Sequence, residues 1–347
     1  MSLPKAKILV VVTVGDFTNS ASILEICSVL AARDHTIDFA TLSGREHMVN
    51  EYPFVATVHI IGTAISAAED EEHYAIFLRW DWNTASGRRD IVEGKTAFDA
   101  FWPPMYRGLK EVITTTKPDF IFSDFHVEGA PDVCNEFKIP HAVMRPQMPW
   151  LMRPQMPWLM MPQKYIPGQS GPILAESYSS LEGDVKEFVE SHRKIALVAF
   201  GTHVTLDDEK VLKVITSLSD AIHSGSINSV VLTGGQLLGN KHPAWCFAPW
   251  VPQRSLLEHD SAVVFVTHCG ASSVNEVIFH GVPKIAMGIF GDQMVTSLRV
   301  ERSGVAVRLD KYKFEASDLT FAIQIILHFN KSSSQPNAKR MQKIAII

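Results

Sequence analysis

Apolar residues along this chain follow two alternating periods. Ile8 to Val14, Thr36 to Thr41, Phe120 to Ser123, Ile195 to Phe200, Ser229 to Thr233, Val263 to Thr267 and Lys284 to Met287 are short apolar runs, many of them β-branched. Such runs suit strands of a parallel sheet covered on both faces. Between them the spacing lengthens to that of a helix: from Ser22 to Ala32 the apolar positions are Ile23, Leu24, Ile26, Cys27, Leu30 and Ala31, and Tyr106 to Thr116 and Asp207 to His223 also read as helices. Strands alternating with helices predict a doubly wound α/β protein, and sheets of that kind bind ligands outside the carboxyl ends of their strands.

The most informative stretch runs from Trp250 to Gln293. Val263 to Thr267 is the strand, His268, Cys269 and Gly270 make a turn, and a helix follows with Ser272 or Ser273 as its cap and Glu276 one turn in. Gly281 and Pro283 end that helix before the strand Lys284 to Met287, so the unit is β-α-β. A helix start of this kind offers unpaired N–H groups and the positive end of the dipole, worth roughly 0.3–2 kcal/mol to an anion, which makes a diphosphate a natural ligand.

At 347 residues the chain has room for two domains, and 46% hydrophobic with 20% charged residues is an ordinary globular composition. A net charge of −5 and the absence of basic runs give no footprint for nucleic acid. Cys27, Cys134, Cys246 and Cys269 lie far apart without metal-ligand spacing, which reads as reduced thiols in a cytoplasmic protein with no metal site. No run approaches the roughly 18 apolar residues of a membrane span, so any membrane association would be at a surface. Arg145–Met152 repeats as Arg153–Met160, RPQMPWLM twice, and its prolines favour an extended loop or linker.

The order W-x-P-Q, H-C-G-x-x-S-x-x-E, G-V-P and D-Q across Trp250 to Gln293 resembles the nucleotide-sugar signature of the UDP-glycosyltransferases, and FGTHV with THCGASSVNE resembles fungal members. A lone Trp or His is ordinarily a packing residue; several such elements in one order point to a site. The resemblance implies that Trp250 stacks on uracil with Gln253 beside it and that His268 meets the diphosphate, with Gly270, Ser272 and Ser273 as donors around it. It also implies that Glu276 takes the ribose hydroxyls and that Asp292 and Gln293 hold the sugar. Thr202, in the glycine turn after Ile195 to Phe200, becomes a further phosphate donor.

The same resemblance implies a GT-B architecture of two facing Rossmann-like, doubly wound domains: residues 1–168 on the acceptor side, a linker over 169–194, and residues 195–347 for the UDP-sugar. The first domain is shortened, because helices that relatives carry are missing where Gly168 leads quickly to Ser179. Aligned on Arg33 and His35, the family's catalytic histidine falls on Asn19 and its proline on Ser22, while Asp124 takes the place of the aspartate that orients the histidine; its alternative reading is a turn or cap residue. The implied activity is transfer of a hexose from a UDP-sugar to a small apolar acceptor such as a sterol, lipid or secondary metabolite, with inversion and without a metal or other cofactor. Asparagine cannot accept the acceptor's proton, so the expectation is a slow transferase. The alternative is a catalytically impaired UDP-sugar-binding pseudoenzyme or a truncated gene product.

Overall fold

The computed structural model describes residues 4–13, 17–79, 81, 84–144, 174–175, 178–201, 204, 206–234, 242–329 and 338–339. They form two compact units, the first taking the described residues up to Ala175 and the second those from Tyr178 onward. Thr202 and the duplicated RPQMPWLM segment lie outside the described residues.

The first unit runs β1 (Lys7–Val11), α1 (Phe17–Ala31), β2 (Thr36–Ser43), β3 (Val55–Thr63), α2 (Ala67–Leu78), α3 (Ala85–Asp99), α4 (Trp102–Thr116), β4 (Phe120–Asp124), α5 (Gly129–Phe137) and β5 (His141–Met144). Its parallel sheet has the order β3-β2-β1-β4-β5. Alternation along β1 feeds two cores: Leu9 and Val11 pack with Leu109, Ile113 and Ile121, while Ile8, Val10 and Val12 pack with Ile23, Leu24 and Phe39. Helix ends follow local chemistry. Ser66 and Glu69 form a reciprocal capping box at the start of α2, and prolines occupy the first turn of α4.

The second unit runs α6 (Gly183–Ser191), β6 (Ile195–Ala199), α7 (Asp208–His223), β7 (Ser229–Thr233), β8 (Trp245–Ala248), α8 (Gln253–Glu258), β9 (Ala262–Thr267), α9 (Ala271–His280), β10 (Lys284–Ala286), α10 (Asp292–Arg302), β11 (Ala306–Arg308) and α11 (Ala316–Gln324). Its parallel sheet has the order β11-β10-β9-β6-β7-β8. Helix α6 falls inside the segment 169–194 that the sequence suggests as linker, yet its Val189 is fully buried with Ile195, Leu197 and Phe265. Helix α6 therefore belongs to the second unit's core, because an amphipathic helix seats its apolar stripe on the nearest sheet.

Each unit is a Rossmann-like, doubly wound α/β sheet. The four cysteines are free, and burial pushes the thiols of Cys27, Cys134 and Cys269 up to about 12. Among the described residues no helix is long and apolar enough to cross a membrane.

One core residue carries a measurable cost. Lys284, the first residue of β10, is fully buried, and desolvation lowers its ammonium from 10.5 to about 8. A lysine depressed by burial binds its proton more weakly folded than unfolded, so the penalty is complete below about 8 and disappears above 10.5. Stability is therefore expected to rise as pH goes from 8 to 10.5. Lys284→Met should remove that slope and raise Tm at pH 7, the gain in stability being on the order of 3 kcal/mol before packing costs. Thermal melts of both proteins across this range check it, and an unaltered slope in the variant contradicts it.

Candidate active site

Each sheet reverses its strand order at one place, between β6 and β9 in the second unit and between β1 and β4 in the first. Loops leaving the carboxyl ends of such strand pairs diverge and open a crevice, the usual ligand position in doubly wound sheets. His268 and Gly270 follow β9 at the second unit's switch point and Asp124 ends β4 at the first unit's, whereas Trp250 follows the edge strand β8.

In the second unit, β9 ends at Thr267 and the chain turns through His268, Cys269 and Gly270 into α9. Cys269 adopts a left-handed φ of 65° and is fully buried, with its N–H donating to Thr267 Oγ1 at 3.2 Å. The imidazole of His268 lies against two glycines, one from each strand end. A Cβ on Gly201 would stand 2.8 Å from His268 Nε2, and one on Gly270 2.5 Å from the same atom. Both positions need the absence of a side chain, and Gly201 also has a φ of 78°. The glycine after β6 and the turn after β9 thus share one histidine.

The helix starts earlier than expected. Gly270 is the N-cap of α9 and makes no side-chain cap, so Ser272 and Ser273 lie within the first helical turn instead of capping it. The leading amides of α9 are left without capping by a side chain of the N-cap residue, and they point to the same end as His268. Ser273 serves a different neighbour: its Oγ accepts from Gln253 Nε2 at 3.2 Å. The same nitrogen donates to Glu276 Oε2 at 2.6 Å, which joins the W-x-P-Q stretch to the middle of α9. Burial raises the Glu276 carboxyl above its ordinary value, against the opposing pull of the Gln253 hydrogen bond and the Arg254 charge.

Trp250 stands just beyond the end of β8 and is 66% exposed, far more than an ordinary core indole. With Pro252, Ser179, Ser180, Glu182 and Val185 it lines a depression of about 490 Å³. Asp292 opens α10, and its charge reaches Cys269, which brings the D-Q pair to the His268 turn. Gln293 is 7% exposed, and its Oε1 accepts from the backbone N–H groups of Ile289 (3.3 Å) and Phe290 (3.2 Å). That side chain fixes the loop ahead of α10.

In the first unit, Asp124 ends β4 with no exposed surface. Asn19, in the first turn of α1, points its amide nitrogen at both Asp124 oxygens from 3.5 Å. Asp124 also has a turn role, because its Oδ1 accepts from the backbone N–H of His126 at 3.0 Å. A further residue, His126, joins this cluster. Its Nδ1 is 2.9 Å from Asp124 Oδ1 and 3.2 Å from Asn19 Nδ2. An aspartate ending a strand with a histidine two residues on was the signal available.

Comparison with known proteins accords with this geometry. Residues 109–345 match the family described as UDP-glucoronosyl and UDP-glucosyl transferase. The chain is 55% identical to UDP-glycosyltransferase FPY2 of Fusarium mangiferae over 452 positions, covering all of this chain and 81% of that protein. Since this chain has 347 residues within that span, the relative carries an internal stretch with no counterpart here. Among solved structures, Arabidopsis thaliana UGT89C1 complexed with quercetin is 16% identical with a TM-score of 0.72, covering 99% of this chain and 94% of that one. LpCGTa in complex with UDP is 14% identical with a TM-score of 0.70, covering 99% and 95%. The order of motifs, the two switch-point sites and these matches have one reading: the chain belongs to the family of UDP-glucoronosyl and UDP-glucosyl transferases and is a UDP-glycosyltransferase that takes a UDP-sugar as donor.

Proposed function

We propose that this enzyme moves a hexose from its UDP-sugar to a hydroxyl of a small apolar acceptor, with inversion at the anomeric carbon and without a metal or other cofactor. The observation that carries the donor half is the hydrogen-bonded set Gln253, Ser273 and Glu276 close in sequence and space to the exposed Trp250. An exposed aromatic plate suits a flat base, and a buried carboxylate suits the paired hydroxyls of a ribose. The amides opening α9, with His268 and the backbone at Gly270, suit a diphosphate. Asp292 and Gln293 are the groups for the sugar hydroxyls, and Gln293 also holds the loop ahead of α10. Thr202 completes the phosphate side in this reading. The acceptor is a sterol, lipid or secondary metabolite; the quercetin held by one structural neighbour is consistent with a small, largely apolar molecule.

A second reading, an impaired enzyme that only binds the donor, is favoured by Asn19 standing where the family's histidine is expected. Turnover separates the two. The protein is incubated with UDP-glucose and a panel of phenols and alcohols, products are identified by mass spectrometry, and the anomeric configuration is read by NMR. The transferase reading expects a glycoside of inverted configuration. Tight calorimetric binding of UDP-glucose with no product from any acceptor would establish the second reading instead.

A further inference from the structure

We propose that Arg254, stacked on the ring of Tyr178, is a positioning residue of the donor site: it supplies the positive charge that readies Glu276 for the ribose hydroxyls, and it ties that end of α9 to the wall of the Trp250 depression. The assignment rests on the donor reading of Glu276 above. Recognition of paired hydroxyls asks for a carboxylate with its charge in place, because its oxygens must only accept. Burial opposes that charge. Gln253 offsets part of the cost through its 2.6 Å bond to Oε2, and Arg254, the next residue along α8, is a cation whose charge acts on the same carboxyl.

Aromatic contacts hold the guanidinium there. Its Cζ lies 3.9 Å from the centroid of the Tyr178 ring and 5.8 Å from that of Phe279, both within the reach of a cation–π contact. Phe279 follows Glu276 by three residues in α9 and so lies on the same side of that helix, which brings the guanidinium to the side that carries the carboxyl. Tyr178 is itself fastened. Its hydroxyl donates to Glu258 Oε2 at 2.7 Å, and beside it the Ser255 hydroxyl donates to the Ser179 carbonyl at 2.6 Å. Ser179, Ser180 and Glu182 continue from there as the wall beside Trp250. One arginine thus links the wall near the exposed indole to the acid on α9.

Besides Tyr178, the titratable groups that act on this cluster among the described residues are Glu258 on α8, His280 closing α9, and Lys339. Burial first, and then the Arg254 charge, lowers the His280 imidazole, so the same arginine acts on a second group that a pH profile would include. Glu276→Gln separates the two, since only the carboxyl's share vanishes with it. At position 254, lysine keeps a charge without the planar guanidinium, and methionine keeps the apolar length without a charge.

The test measures UDP affinity by calorimetry across the pH range in which the protein stays folded, for wild type, Arg254→Met, Arg254→Lys, Glu276→Gln and the double variant of Arg254→Met with Glu276→Gln. Wild-type affinity should climb with pH as Glu276 ionises. Arg254→Met should bind UDP more weakly at pH 7 by roughly two- to 150-fold, the coupling found within one polar network. Its climb should also move to higher pH, because without the cation the carboxyl keeps its proton longer. Arg254→Lys should leave the climb near its wild-type place, and Arg254→Met should cost little once Glu276 is glutamine. Tyr178→Leu, which takes the ring from the guanidinium, should weaken UDP in the same direction, whereas Tyr178→Phe should not. A climb in the same place in Arg254→Met as in wild type, an equal loss in both backgrounds, or full affinity in Tyr178→Leu overturns the assignment alone. So does a climb that survives Glu276→Gln intact, which would belong to His280. A Glu276→Gln variant that binds UDP as tightly as wild type overturns the ribose reading and the assignment together.

Discussion

Glu276→Gln is expected to weaken UDP-sugar binding five- to 150-fold, about 1–3 kcal/mol, while making the protein more stable at neutral pH. The two effects have one cause. Glu276 is buried against Gln253, and desolvation raises its carboxyl despite the Gln253 hydrogen bond and the Arg254 charge. A carboxyl raised in the folded state leaves stability untouched below the ordinary carboxylate range and costs stability as pH rises through the raised value. Glutamine at this position keeps an acceptor for Gln253 Nε2 without a charge to bury, so the melting temperature should rise at pH 7. Ribose hydroxyls donate to the carboxylate and favour its charged form. Donor binding by wild type should therefore release a proton between the ordinary carboxylate range and the raised value, and affinity should climb with pH across that interval. Calorimetry at several pH values in buffers of different ionisation enthalpy reads both quantities, beside thermal melts. Equal affinity of the two proteins, or no proton release, would remove Glu276 from the donor site.

The strands legible in the sequence are mostly buried ones. β1, β2, β4, β6, β7, β9 and β10 lie where apolar runs predict them, because a parallel strand covered on both faces has little polar alternation to confuse the reading. Helix α6 reads as part of a linker in the sequence, since nine residues with four charges carry a weak apolar stripe; only packing against Ile195 and Leu197 gives Val189 its partner. The donor site was legible as an ordered set of motifs. What ordering cannot convey is which side chains bond each other: Gln253 reaches Ser273 and Glu276 across 20 and 23 residues, and Gln293 turns its oxygen to Ile289 and Phe290. The start of α9 was misplaced by two or three residues because serine is the better cap in general, whereas the close approach of His268 requires glycine there. The contacts of His126 are hidden in the sequence for a related reason: only the fold brings Asn19, 105 residues from Asp124, and His126 to one carboxylate.

Asn19→His is expected to raise alcohol transfer by one to several powers of ten, and Asp124→Asn in that background to take the gain away. An amide accepts no proton from an acceptor hydroxyl, whereas an imidazole does, and general-base assistance is worth roughly 10²–10⁴-fold. Asn19 already lies within 3.5 Å of both Asp124 oxygens, so a histidine there reaches a carboxylate that has no exposed surface. That carboxylate stabilises a charged ring and an amide does not, which is why the second substitution should cancel the first. Initial rates of wild type, Asn19→His and the double variant on one alcohol check both expectations. A single Asn19→His no faster than wild type would mean that another group takes the acceptor's proton.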